Sequence, residues 1–168
     1  MEVPPLAFTP LDFIHYPWTH RLVASLLWSL LFGLACLRLG KREALVLGLL
    51  VYSHWVLDAL SHRPDLPLWP GSETMIGLGL WNSVPATLAV EVTMFAIGVA
   101  LYVRAAPARD RTGFFAFWGL ITLLLVAYAG NAFGPPPPNV PAIAVAGIAG
   151  GLLFTAWAWW ADKRRAPG

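Results

Sequence analysis

The chain has 168 residues, 58% hydrophobic and only 12% charged, with a formal net charge of +2. Ordinary soluble domains carry about 25% charged residues, so the composition argues against a water-soluble globule, and so small a net charge gives no reason to expect nucleic-acid binding. The single cysteine, Cys36, excludes an intramolecular disulfide.

The opening MEVPPLAFTPLDF has neither the basic start nor the short apolar core of a cleavable signal peptide. The first apolar span is therefore expected to serve as its own insertion signal. That span covers about 22–39 and ends in RLGKRE. The second covers about 44–60 and leads into the proline-bearing loop SHRPDLPLWPGSET and the glycine-rich MIGLGLWN. The third covers about 84–103, with Pro85 tolerable in its first turn, and ends at RAAPARDRTG. The fourth covers about 114–133 and stops at GPPPPN, which cannot continue a helix. The fifth covers about 140–161 and stops at DKRR. Each span gives about 25 to 33 Å of helix, enough for a hydrocarbon core of about 30 Å. The blocks are continuous rather than alternating, which disfavours strands. The expected fold class is all-α, a polytopic membrane bundle of five helices forming one domain over 1–168.

Basic residues set the expected orientation. If the chain alternates, Arg38, Lys41, Arg42, Arg104, Arg109, Arg111, Lys163, Arg164 and Arg165 share one side, and only Arg21 and Arg63 fall on the other. This places the N-terminus outside and the C-terminus in the cytoplasm. Trp18, Trp69 and Trp81 then lie near the outer boundary, and Trp157, Trp159 and Trp160 near the inner one, as interfacial rings do. The same alternation gathers His15, His20, His54, His62, Asp12, Asp58, Asp65 and Glu73 at the outer end, with Glu91 about two turns into the third span.

Helical positions i and i+4 share a face, so His54 and Asp58 aim at one point. His62 extends the row if the helix continues past Ser61. Imidazole with carboxylate suits zinc, and also manganese or iron. His20 opens the first span and can face the second helix at the same depth, with His15 or Asp12 completing a metal set of His15, His20, His54 and Asp58. The competing reading is that these groups only bond helix to helix. An ionisable group inside a span costs on the order of 2.5–3.5 kcal/mol, so Glu91 is a ligand, a general base or a partner of a ligating histidine. A protonated Glu91 bonded to a neighbouring helix is the equal alternative. Arg21 either neutralises an anion or snorkels to headgroups, and Arg63 has the same two readings. His62 and Asp65 read as solvated loop residues. Asn82, Ser83 and Asn131 read as caps or interhelical bonds. The series GIAGG favours tight helix packing and lacks the Lys-Ser/Thr of a nucleotide loop. Cys36 is inert filler at the opposite end from every histidine.

The stretches HYPWTHRL and SHWVLDALSHRPDLPLWP resemble the YdjM-type family of bacterial inner-membrane proteins, described as membrane-bound metal-dependent hydrolases. His15, Thr19 and His20 match its first element, and Ser53, His54 and Asp58 its second. The resemblance covers mainly the first 70 residues. Pro10-Leu11-Asp12 stands where the family has Pro-Asp-x-Asp, and Arg21 replaces a common serine, so one metal is expected rather than two. The family is distantly similar to zinc-dependent phospholipase C and P1-type nucleases, which implies phosphoester hydrolysis and a place in the bacterial cytoplasmic membrane.

The expected function is metal-assisted hydrolysis of a phosphoester or lipid-like ester, with membrane lipids as surroundings and Glu91, Asp12 and Arg21 as catalytic candidates. The alternatives are a scaffold or assembly subunit, and an ion or proton transporter. The transporter is the weaker of these, because the inner halves of the spans carry almost no ionisable groups.

Overall fold

The computed structural model describes residue 8 and residues 18–166. Five α-helices follow in order: α1 (Leu22–Ala35), α2 (Lys41–Ser61), α3 (Val84–Ala105), α4 (Arg111–Phe133) and α5 (Val140–Asp162). All five spans read from the sequence are present, each long and apolar enough to cross a membrane. Their side chains agree: Val145 is 67% exposed and Leu152 70%. Apolar surface on that scale is a liability in water and is solvated by lipid.

The boundaries differ from the apolar blocks for local reasons. The first α-helix stops early because Cys36 caps it, its N–H pointing back to Phe32 and Gly33. The chain then tightens into a 3-10 turn, Leu37–Leu39, and reverses at Gly40 with φ 133°, a backbone that side chains rarely allow. The second, third and fourth helices extend into flanking charged residues, which the helix tolerates where they leave the hydrocarbon. Asp110 begins α4 by accepting from Gly113 N at 2.6 Å, and Asn139 begins α5 by accepting from Ala142 N at 2.8 Å. Ser83 caps α3 more loosely, accepting from Ala86 N at 3.4 Å, while Asn131 lies exposed inside α4.

Contacts divide the chain into two compact units, Met1–Ala89 and Val90–Gly168. In the first, α1 and α2 form a close antiparallel hairpin. A Cβ on Gly48 would come within 3.1 Å of the Ser29 carbonyl, and one on Gly33 within 3.2 Å of the Ala44 carbonyl. Small residues therefore let the two backbones approach, and Ser29 Oγ donates across the gap to Gly48 O at 2.7 Å. The connection after α2 contains a feature the sequence did not suggest, a two-residue antiparallel pair of β1 (Leu66–Pro67) and β2 (Met75–Ile76). The chain returns over the end of α2 as Leu78 N donates to Ala59 O and Gly79 N to His62 O. A side chain at Gly77 would overlap the His62 and Arg63 carbonyls. Thr87 is fully buried, its hydroxyl 2.9 Å from the Leu80 and Ser83 carbonyls.

In the second unit α4 packs on α5, and the segment after α5 is clasped to the α3–α4 connection. Arg109 N donates to Arg164 O and Ala166 N to Pro107 O, both at 3.0 Å. Arg165 is 5% exposed, its guanidinium 4.5 Å from the Phe117 ring centre and 5.3 Å from that of Tyr102. Its Nε donates to Ala106 O, and the Tyr102 hydroxyl donates to Asp162. The DKRR stretch thus has a packing role beyond its charge.

Candidate metal centre

The α1–α2 hairpin determines which polar groups meet. His54 and Asp58 lie one turn apart near the end of α2, and His20 lies just before α1, so the antiparallel arrangement sets it opposite them. Three hydrogen bonds fix the segment that carries His20. Trp55 Nε1 donates to His20 O at 3.2 Å, Ser25 Oγ to Thr19 O at 2.9 Å, and Trp28 Nε1 to Trp18 O at 2.8 Å.

One donor atom from each of His20, His54 and Asp58 lies within 4.8 Å of the others. Asp58 Oδ2 is 3.4 Å from His20 Nε2 and 3.2 Å from His54 Nε2. Ligands at about 2.0–2.1 Å from a tetrahedral zinc are separated by about 3.3–3.4 Å, so these two edges already have the spacing of a shared cation. The imidazole rings of His20 and His54 meet edge to face, with centres 5.1 Å apart.

Asp58 Oδ2 is buried, and among the described residues no donor is aligned on it. Both nitrogens lie within ion-pair distance, yet neither makes a hydrogen bond to the oxygen. Hydrogen-bonded partners aim at each other, whereas ligands of one cation aim at a common point between them. His20 Nδ1 lies 2.6 Å from Thr19 Oγ1. When Nδ1–H donates there, Nε2 carries a lone pair toward Asp58, the tautomer that ligating histidines adopt. In that state acceptor faces acceptor, and a cation between them relieves the repulsion.

No family model, curated protein or solved structure matches the chain. The metal argument therefore stands on the donor set and its geometry.

Burial pushes the His20 imidazole below its ordinary 6.5. Asp58 opposes the shift, while His54 and His62 add to it. His20 is thus neutral at pH 7, the form a metal needs. The three donors are unequally enclosed: the side chains of His20 and Asp58 are 19% and 13% exposed, and that of His54 is 55% exposed. The centre is therefore reached from the His54 side.

The other candidates fall into place less uniformly. Asp12 and His15 lie outside the described residues. Arg21 follows His20 and sits at the start of α1, its Nε buried without a hydrogen-bond partner among the described residues. Glu91 belongs to the second unit, where its Oε2 accepts from the Tyr128 hydroxyl at 2.8 Å on α4. His62 departs from the solvated-loop expectation. It leaves the helix as its cap, with φ −69° and ψ 150°, and is only 3% exposed. Its ring centre is 4.8 Å from that of Trp81 and 5.9 Å from that of His20. Thr19 and Trp55 were not singled out for the roles they play. Thr19 had a signal in standing directly before a candidate ligand, where its hydroxyl can reach the ring.

Proposed function

We propose that this chain is an integral membrane hydrolase that uses one divalent cation held by His20, His54 and Asp58. Its substrate is a phosphoester or lipid-like ester at the membrane surface. The observation that carries the reading is Asp58 Oδ2, a buried carboxylate oxygen with no aligned donor, set 3.2–3.4 Å from two imidazole nitrogens. The resemblance to the YdjM-type family supports the reaction class, and the bias of basic residues supports a site on the outer face of a bacterial cytoplasmic membrane. His15 or Asp12 would complete the donor set.

A bound cation supplies Lewis acidity, lowering the pKa of water and polarising the scissile bond. The chain's own groups do the rest. Thr19 Oγ1, 2.6 Å from His20 Nδ1, orients the ring, and when it accepts the Nδ1 proton it leaves Nε2 for the cation. Arg21, with an unused buried N–H, meets negative charge as it develops on the substrate. Asp12 accepts the proton.

The second reading is a scaffold in which the same residues join helices, and the Glu91–Tyr128 bond between α3 and α4 favours it. Metal content separates the two. Detergent-purified protein, His54→Ala and Asp58→Ala would be assayed by elemental mass spectrometry after loading with zinc, manganese or iron. About one equivalent in the parent, lost in both folded variants, supports the hydrolase and directs substrate screening to phosphoesters. No metal in any of them makes the cluster helix-to-helix glue.

A further inference from the structure

The second unit gathers cations at the end where α3 finishes, α4 begins and α5 finishes. Arg104, Arg109, Arg111, Lys163 and Arg164 are all exposed there. They come from separate segments, which the clasp brings together. Arg109 N donates to Arg164 O, Ala166 N donates to Pro107 O, and Ala108 bridges to Arg165. Gly113 is part of the closure, since a side chain at that position would overlap the Arg164 carbonyl. The carboxylates at this end are already engaged. Asp110 accepts from Gly113 N and lies 3.7 Å from the Arg164 guanidinium, and Asp162 accepts from the Tyr102 hydroxyl. Among the described residues, no carboxylate pairs with Arg104, Arg109, Arg111 or Lys163. Lys163 instead places its ammonium 3.7 Å from the centre of the Trp159 ring.

An apolar groove leads away from these charges. α4 packs closely on α5 but stands off α3, and the space between α3 and α4 is a hollow of about 530 Å³. Arg104 and Trp118 line one end of it, and Val92 and Leu125 the other. Ala96 and Ala100 form part of its wall; both are small and exposed, which keeps it open. From Arg104 to Phe95 the groove runs about 13 Å, at about 1.5 Å per residue. One leaflet of a hydrocarbon core of about 30 Å is about 15 Å deep. The groove thus matches the depth of one acyl chain, and it has a guanidinium where that chain would meet its phosphate.

We propose that the α3–α4 groove and the clasp form a binding site for one anionic phospholipid of the surrounding membrane. Its phosphate sits on Arg104 and the neighbouring cations, and one acyl chain lies along Ala96 and Ala100. Guanidinium groups suit phosphate because two N–H groups can meet two oxygens, and basic pockets between membrane helices hold anionic headgroups. A zwitterionic lipid fits less well, because its ammonium finds no uncommitted carboxylate at this end among the described residues. The clasp holds its cations on a closed main-chain frame, so little ordering is lost when the lipid arrives.

The test is native mass spectrometry of the full chain, delipidated in detergent and titrated with phosphatidylglycerol or phosphatidylcholine carrying the same chains. The parent is expected to hold one phosphatidylglycerol at least about tenfold more tightly than phosphatidylcholine, as two or more nearby cations supply. Arg104→Gln and Arg111→Gln should each weaken phosphatidylglycerol by roughly fivefold and leave phosphatidylcholine unchanged. Ala96→Phe fills the groove and should weaken phosphatidylglycerol with every cation still in place. Lys41→Gln, an exposed position on α2 in the first unit, should match the parent. Glycerol phosphate, a headgroup without chains, should bind far more weakly than the lipid. Equal affinity of the parent for the two lipids overturns the proposal. So does a loss in Lys41→Gln as large as in Arg104→Gln, which would mean a diffuse field of charge. Glycerol phosphate binding as tightly as the lipid, or phosphatidylglycerol unaffected by Ala96→Phe, makes this a phosphate site without a chain and overturns it too. A parent that travels as a dimer and takes up no lipid gives the groove to a second copy of the chain, again overturning the proposal.

Discussion

The most discriminating single substitution is Asp58→Asn, because its effect on stability should change sign with metal. In chelator-treated protein, Asp58 presents a buried oxygen without a donor. Such a group costs about 1–3 kcal/mol. Asparagine has nearly the same shape, removes the charge and brings an N–H that can donate to an imidazole lone pair 3.2–3.4 Å away. Metal-free Asp58→Asn should therefore be more stable than the parent by about 1 kcal/mol. A cation at 100 times its Kd adds about 2.7 kcal/mol to a protein that binds it. The variant lacks that gain, so it should become the less stable protein by roughly 1–2 kcal/mol. Thermal unfolding in detergent, with chelator and with saturating zinc or manganese, measures both cases. Equal destabilisation in both conditions would refute the reasoning, because it would mean that Asp58 bonds the helices directly.

Four further outcomes follow from particular contacts. The folded pKa of His20 lies below the unfolded 6.5, so the unfolded chain takes up the proton first; stability of the metal-free protein should fall as pH drops through 6.5 and stay level above it, and His20→Asn should flatten a melting profile taken between pH 5 and 8. Gly77→Ala places a methyl against the His62 and Arg63 carbonyls and should cost about 1–3 kcal/mol, read by thermal unfolding. Tyr128→Phe removes one bond to Glu91 and should cost about 1 kcal/mol; Glu91→Gln keeps a partner for Tyr128, so its melting should be near the parent's, as thermal unfolding in detergent would show. Arg165→Ala strips a guanidinium that lies against the stacked Tyr102 and Phe117 rings and should lower stability by about 2 kcal/mol, seen as earlier unfolding with metal content unchanged.

The five helices were legible because lipid asks one simple thing of a sequence, an unbroken apolar run of sufficient length. Their ends were less so. The run cannot report that Cys36 closes α1 early, or that α2 and α4 begin on charged residues. In the centre, His54 and Asp58 could be paired from spacing alone, and His20 joined them because it opens the first span at the depth where the second ends. His62 was misread for a physical reason. Its burial comes from a loop that folds back through main-chain bonds at Leu78 and Gly79, and main-chain bonding leaves no residue pattern to read beyond a glycine-rich stretch. The Tyr128 partner of Glu91 was likewise invisible, since it depends on how two helices are rotated.

The clasp between 107–109 and 164–166 bears on how the orientation of this protein can be measured. Loops rich in arginine are the usual places to ask which side of a vesicle a protease can reach. Here Arg109 and Arg164 take part in a main-chain bridge, and Arg165 is packed against aromatic rings. A protease must draw several residues into an extended, unpaired strand before it can cut, so these arginines will resist cleavage even when the enzyme is on their own side. Protection there reports a closed clasp and says nothing about the side of the bilayer. Orientation is better read from a label placed on exposed Lys41 or Arg42 in the first turn of α2, where no such bridge forms among the described residues.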